Sequence, residues 1–417
     1  MTVEIDGANN IVKTNTISEV TSANGVTVDG LNIKDSKLVT ADSVVEANIT
    51  NGAVTSSKIA SGVIPSSRPN VNPLIINGDM AMAQRNTSFT SNGYQLDRWS
   101  FDESTDGAVT VTQDSTVPSG QGFGKSIKFD VTTADGTLAA NQYCQWTQFF
   151  EGQNLQLLKY GTSSAENLTL AFWVRSNKTG TYCIRFVKEA GGQTRYECPI
   201  EYSISSANTW EKKIINLSPT AGSTTFITNS AGAIVNSNAS GYRIAWILAS
   251  GTDFNSGTNN TWTATSDRLG TTNQVNFLDN TSNELYITGV QLEVGEYTSA
   301  TIPPFQHESY GANLERCQRY FFKSAIQGEA VLGSGLGNIT NGKQSEDWTC
   351  ALPVTMRALG TVTIYDSTST TNKLNYYSGG WQSGGTVNAA NMQGDTMIHV
   401  GSAQVVWNAD LFIEAEL

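Results

Sequence analysis

From Gly93 to about Pro304 the apolar residues keep to every second position. Ile127, Phe129 and Val131 alternate with polar neighbours in KSIKFDVTT, as do Leu168, Leu170, Phe172 and Val174 in NLTLAFWVR and Tyr182, Ile184 and Phe186 in TYCIRFVK. Tyr242, Ile244, Trp246 and Leu248 share a face in GYRIAWILA, and Tyr286, Thr288, Val290, Leu292 and Val294 are expected to share one in ELYITGVQLEVG. A period of two marks a strand with one face buried. Such runs, parted by Gly, Ser and Asn turns, predict an all-β chain with a two-sheet, jelly-roll-like β-sandwich over residues 73–304. Pro303 and Pro304 stop the alternation. Leu314, Cys317 and Phe321 then follow at helical spacing, so 305–324 reads as a linker with a short helix. Strands return at 352–356, 362–365, 397–400 and 405–411, giving a small C-terminal β domain over 325–417.

Residues 1–72 have a different texture, with no Trp, Phe, Tyr or Cys. Val44, Ile49, Val54 and Ile59 stand five apart. A step of five turns about 140° beyond a full helical turn and reverses the face of a strand, so neither stripe results. Such a segment buries its apolar groups by winding with copies of itself, as fibrous trimers do, or by docking on a larger assembly. A disordered linker is the plainer alternative. The regular spacing and the turn pairs Asn24-Gly25, Asp29-Gly30 and Asn51-Gly52 favour an extended trimeric stalk. The stretch RPNVNPLIINGDM, from Arg68 to Met80, reads as a junction that feeds a short strand into the sandwich.

Composition narrows the function classes. Apolar residues make up 39% of the 417, enough for real cores, yet only 15% are charged, and Gly alone contributes 38. Ser, Thr, Asn and Gly fill the difference, as in proteins of strands and turns. The net charge of −12 and the lack of a Lys/Arg cluster disfavour nucleic acid and anionic membranes as partners. No apolar run approaches the roughly 20 residues of a membrane span, and MTVEIDGANN has no signal-peptide pattern. The expectation is a protein made in the cytosol that reaches the outside by another route, such as inside a virus particle.

Candidate chemistry is sparse, and no cofactor or metal is expected. Cys144, Cys183, Cys198, Cys317 and Cys350 are odd in number, never spaced as CxxC, and read as buried thiols. Cys183 and Cys198 flank a hairpin turn at Ala190-Gly191-Gly192 and would face each other in one register only. SGQGFGKS, from Ser119, ends like a phosphate loop, but it starts on Ser and runs into the strand-like IKFDVTT instead of a helix. Two histidines, His307 and His399, are too few for most metal or triad chemistry, and His307 reads as a junction residue. Asp253, Asn255, Gly257 and Asn259 alternate as calcium ligands can, but without a closing Glu the loop is better read as plain surface. Among the tryptophans, Trp99 and Trp246 are expected in the core, and Trp173 falls on the outward set of its strand. Trp262 (NNTWTATSD) and Trp381 (SGGWQSGG) stand in polar loops with no evident core to join. Exposed indoles stack on the C–H faces of sugars, which makes these two the candidate glycan platforms. The alternative for each is to cap its own domain or pack on a neighbouring chain.

The stretches NPLIINGDMAMAQR (72–85), YQLDRW (94–99), ITGVQLEVG (287–295) and PFQHESYGANLERCQRYF (304–321) resemble the framework of phage tail-fibre and tail-associated proteins whose sandwich is carbohydrate-binding-module-like. NGVTVDGLNIKD (24–35) and ITNGAVTSSKIASG (49–62) are similar to fibre stalks, particularly of marine cyanophages, and LPVTMRALGTVTIYD (352–366) to fibre C-terminal domains. The resemblance implies a homotrimeric, non-enzymatic virion protein, held by its N-terminal stalk to other tail proteins and binding a host-surface glycan. Two alternatives stand beside it. One is a purely structural virion part, such as a capsid-decorating fibre or tail connector; the other is a polysaccharide depolymerase with a hidden carboxylate pair.

Overall fold

In the computed structural model the described residues are 72–191, 194–264 and 268–323, parts of 346–417, and five short strands between residues 4 and 38. The chain divides into two units, Met1–Ser67 and Arg68–Leu417. In the first, β1 (Glu4–Asp6) pairs with β2 (Ile11–Lys13), and β3 (Val26–Val28), β4 (Leu31–Lys34) and β5 (Lys37–Leu38) form a meander. The register Val28↔Leu31 leaves two residues between β3 and β4, and these are Asp29 and Gly30, the dipeptide that two-residue hairpins favour. The repeat from Val44 to Ile59 lies outside the described residues.

The second unit is a sandwich of two antiparallel sheets. Its strands are β6 (Ser88–Phe89), β7 (Gly93–Tyr94), β8 (Trp99–Ser104), β9 (Ala108–Asp114), β10 (Ser126–Thr133), β11 (Tyr143–Glu151), β12 (Leu168–Ser176), β13 (Gly180–Lys188), β14 (Tyr196–Ile204), β15 (Glu211–Leu217), β16 (Ser240–Ser250) and β17 (Glu284–Val294). One sheet runs β6-β9-β10-β17-β12-β15 and the other β7-β8-β11-β16-β13-β14. The predicted inward faces of β10, β12, β13 and β16 are all buried. Trp99 and Trp146 stack at 3.9 Å with Trp246 edge-on at 5.8 Å from Trp99, and from the other sheet Phe129 and Phe172 meet this trio at 5.6 and 5.4 Å. Each such aromatic pair adds about 1 kcal/mol beyond its area burial.

The reading of β17 needs correction. Leu285, Ile287, Val290, Leu292 and Val294 point into the core, while Tyr286 and Thr288 lie on the outer face. The register against β12 slips between Ala171↔Gln291 and Trp173↔Thr288, and the extra residue is Gly289, at φ +61°. One inserted residue flips the alternation, which is the signature of a β-bulge. A Cβ on Gly289 would come 2.5 Å from the Phe123 ring. Gly289→Ala should therefore lower stability by roughly 2 kcal/mol in a denaturant titration, from the left-handed backbone and the clash together.

Four cysteines, Cys144, Cys183, Cys198 and Cys317, are buried free thiols, and Cys350 lies outside the residues whose side chains are described. Cys183 stands opposite Glu201 and Cys198 opposite Phe186, so the two thiols occupy opposite faces of their sheet. SGQGFGKS does lead into β10.

Beyond the sandwich come α1 (Tyr310–Gln318), β18 (Phe321–Lys323), β19 (Glu346–Ala351), β20 (Thr361–Tyr365), β21 (Lys373–Tyr377), β22 (Trp381–Met392), β23 (Met397–Ser402), β24 (Trp407–Asn408) and β25 (Asp410–Glu414). The Ser309 side chain caps α1 by accepting the Ala312 N–H. β18-β25-β20 form one sheet and β19-β23-β22-β21-β24 another. Residues expected to form a separate C-terminal domain thus share a unit with the sandwich. The four framework stretches explain how. Asn77 holds Met82 and Asp97 through its side chain and takes the Trp99 indole N–H on its carbonyl. Val290 N–H donates to Gly78, and Arg316 reaches Pro73 O. Arg98, 1% exposed, pairs with Glu416, donates to Phe149 O and lies 3.4 Å over the Tyr320 ring. Glu151 accepts from Arg319 Nε and Nη2 at 2.9 and 2.8 Å and from the Tyr320 hydroxyl at 2.6 Å. These stretches are a scaffold seam.

Candidate functional site

Trp262 corrects the sequence reading. Its ring is 1% exposed, belongs to the main core, and donates its indole N–H to Ser218 O. Its chain neighbours are polar, but its spatial neighbours are not. Main-chain bonds Trp262 N–H to Ala221 O and Thr263 N–H to Glu197 O draw the loop onto the sandwich. A buried ring offers no face to a sugar. Trp381 opens β22, and its side chain lies outside the described residues.

Trp173 and Trp210 are the half-exposed indoles among the described tryptophans. Both lie on the outer face of the β6-β9-β10-β17-β12-β15 sheet, one on β12 and the other just before β15. Trp173 stands between Lys212 of β15 and Thr288 of β17. Two residues along β12, Arg175 begins a transverse row, Arg175–Tyr286–Lys128, across β12, β17 and β10. The Arg175 guanidinium lies 5.1 Å from the Tyr286 ring centre, and Trp210 meets that ring edge-on at 6.3 Å. Arg175 also clasps Asn208 through its carbonyl and side-chain oxygens, which steadies the loop that carries Trp210. Lys128 bonds Glu284 at 2.7 Å, and the Tyr286 hydroxyl donates to the other Glu284 oxygen.

The electrostatics of this patch are balanced and anchored. The hydrogen bond from Lys128 holds the Glu284 carboxyl below its ordinary range, and burial pushes the Tyr286 phenol up. Partial desolvation by its neighbours also lowers the Lys212 ammonium, which stands beside Trp173. The result is two indoles and a phenol on a rigid sheet, ringed by Arg175, Lys128, Lys212 and Glu284. Flat apolar faces beside fixed donors and acceptors suit a sugar, whose ring is apolar above and below and polar around its edge. Sequence reasoning placed Trp173 outward but passed over Trp210, which stands in SANTWEKK, a context as polar as that of Trp262.

The other motifs serve packing. His307 lies against Phe305 and Phe123, at 4.9 and 5.4 Å. Thr288 bonds Lys125 O and Gln291 bonds Pro303 O, so these segments cover the β17 part of the same outer face beyond Tyr286. Asn259 of the Asp253 loop spends its side-chain oxygen on the Glu201 N–H. A cavity of about 490 Å³ beside β11 is lined by Leu74, Ile76, Phe149, Arg98, Arg316 and Arg319. Its arginines are paired internally with Glu416, Glu308 and Glu151. Among the described residues no helix is long and apolar enough to cross a membrane.

No family model and no curated protein matches the chain. Solved structures with some likeness include the enzymatically active domain of tailspike protein 4 of bacteriophage CBA120, at 14% identity and a TM-score of 0.29 over 53% of this chain and 21% of that one. The chain thus spans about a fifth of that protein's length. A family 11 carbohydrate-binding module from Clostridium thermocellum, in complex with a β-1,3-1,4-mixed-linked tetrasaccharide, aligns at 12% identity and a TM-score of 0.27 over 51% of this chain and 98% of the module. TmCBM61 in complex with β-1,4-galactotriose aligns at 11% and 0.25, over 54% and 99%.

Proposed function

We propose that this chain is a tail-fibre protein of a phage virion that attaches the particle to its host by binding cell-surface polysaccharide at the Trp173–Trp210–Tyr286 patch. The observation that carries the reading is the patch itself: two half-exposed indoles and fixed charged groups on a stiff sheet. The resemblance of the framework and stalk stretches supports the virion assignment. In this reading residues 1–72 anchor a homotrimer to other tail proteins, and the sandwich projects outward. Single sugar contacts are weak, so three copies per fibre and several fibres per particle supply avidity. Binding is reversible and no covalent step is assigned.

The test is binding of the recombinant protein to immobilised host polysaccharide. Trp173→Ala and Trp210→Ala should each weaken it by about tenfold or more, with the unfolding midpoint nearly unchanged because both rings are half-exposed. Wild-type affinity in both variants would remove the patch from the mechanism. Shortened polysaccharide chains after incubation would replace attachment by cleavage.

A further inference from the structure

The aromatic patch is not evenly charged. On its β10–β17 half the cation is answered: Lys128 bonds Glu284 and lies 3.5 Å from Asp130. Arg175, between the halves, spends Nε and Nη2 on the Asn208 oxygens. It also lies in the field of Glu284, whose carboxyl it helps to lower after Lys128. Charge and countercharge are matched this far along the face.

Lys212, on the β12–β15 half, is not matched. The ladder sets it directly opposite Trp173, and it keeps an exposed surface. Its chain neighbours Glu211 and Lys213 alternate to the other side of β15 and pair there with each other. Glu211 is held further by the main-chain N–H groups of Ser205 and Ser206. Among the described residues Lys212 has neither an ion pair nor a side-chain hydrogen bond. Its neighbours still strip some water from the ammonium, and this desolvation lowers it with no carboxylate acting in return. A charge that has lost part of its water and gained no partner is costly, and an anion from outside would offset that cost.

We infer that the polysaccharide taken at this patch is anionic, with a carboxylate or sulfate on the sugar stacked against Trp173 meeting the Lys212 ammonium. The inference rests on the glycan-binding reading of the patch and adds to it the charge of the sugar. Directly opposed residues on paired strands stand about 5 Å apart at Cβ, so a ring on the Trp173 indole turns its edge groups towards Lys212. Lysine is a compact charge with three rotatable donors, which suits the oxygens of either anion. Indole and ammonium then divide the work, the first binding the apolar face of the sugar and the second selecting its charge.

Three oligosaccharides of one backbone test this by calorimetric titration of the intact chain: oligogalacturonate, its carboxyl-reduced neutral form, and the sulfated form of that neutral chain. Salt at about 0.15 M screens diffuse effects, and the net charge of −12 opposes general attraction of polyanions. At least one anionic form should bind about tenfold or more tighter than the neutral form, and which one does so identifies the anion. Lys212→Gln should erase that preference and Lys212→Arg should keep it. Lys213→Gln, on the other side of the same strand, should leave it unchanged, while Trp173→Ala should weaken every form that binds. The inference is overturned if neither anionic form binds more tightly than the neutral one, if the preference survives Lys212→Gln, or if binding ignores Trp173→Ala. Binding of the neutral form alone, lost in Trp173→Ala, would remove the anion and leave the attachment reading standing.

Discussion

Replacing Arg98 by methionine should destabilise the second unit by about 3–5 kcal/mol, the usual cost of removing one partner from a buried ion pair. Arg98 and Glu416 are 1% and 4% exposed at their side chains. Burial alone would depress the guanidinium, but Glu416, with the Tyr320 and Tyr94 phenols, more than offsets that and raises it. Without Arg98 the Glu416 carboxylate keeps, among the described residues, Arg85 at 3.2 Å, while Phe149 O loses the Arg98 donor and the Tyr320 ring its cation. The denaturant midpoint of Arg98→Met should fall with an unchanged slope. The double variant Arg98→Met/Glu416→Met should recover most of the loss, because apolar replacement of both partners avoids the stranded charge. A double variant as weak as the single one would show that packing on Tyr320, and not charge, carries the effect.

Alkaline pH should unfold the sandwich. Burial raises the thiols of Cys144, Cys183, Cys198 and Cys317 and the phenols of Tyr160, Tyr182, Tyr202 and Tyr242, with Cys183 brought to about 11 from 9.0. These groups are neutral when protonated. Above pH 9 the unfolded chain releases its thiol protons while the fold retains them, so stability is complete below 9 and drains away as pH climbs towards the folded values. A two-unit shift is worth about 2.7 kcal/mol, and a domain has only about 5–15 to lose. Lys188 works the other way. Burial lowers it to about 8 from 10.5, so it regains stability between those values, and Lys212 and Arg243 are lowered too, but these are three groups against eight. Urea midpoints under reducing conditions should hold at pH 8 and fall steeply by pH 10.5. A Cys183→Ala variant should fall less steeply, and a flat profile would contradict the burial of these groups.

What could be read from the residues divides along physical lines. Alternation located β10, β12, β13 and β16 with the correct faces, because the register shifts within β10 and β16 fall towards the strand ends and the one beside β12 inserts its extra residue in β17. It misassigned β17, since a bulge leaves little mark beyond a glycine, and Gly289 looks like any other in a chain that has 38. The aromatic patch was half legible. Trp173 announced itself by sitting out of phase with Phe172 and Val174, whereas Trp210 and Trp262 occupy equally polar contexts and part company only in three dimensions. Burial of Trp262 is decided by Ser218 and Ala221, some forty positions back along the chain, and local composition carries no record of that return. Lys212 was invisible for the same reason. In WEKK it looks like an ordinary surface charge, and its place opposite Trp173 exists only once β12 and β15 are paired.

The Arg98–Glu416 clasp also bears on the order in which the protein comes off the ribosome. Its partners are 318 positions apart. At about 5–20 residues per second, every strand of both sheets emerges well before β25 does. Until then Arg98 lacks the Glu416 carboxylate that follows that strand, and a sandwich that closed around it would bury a cation without it. The seam thus makes residues just past β25 a condition for locking strands made some three hundred positions earlier.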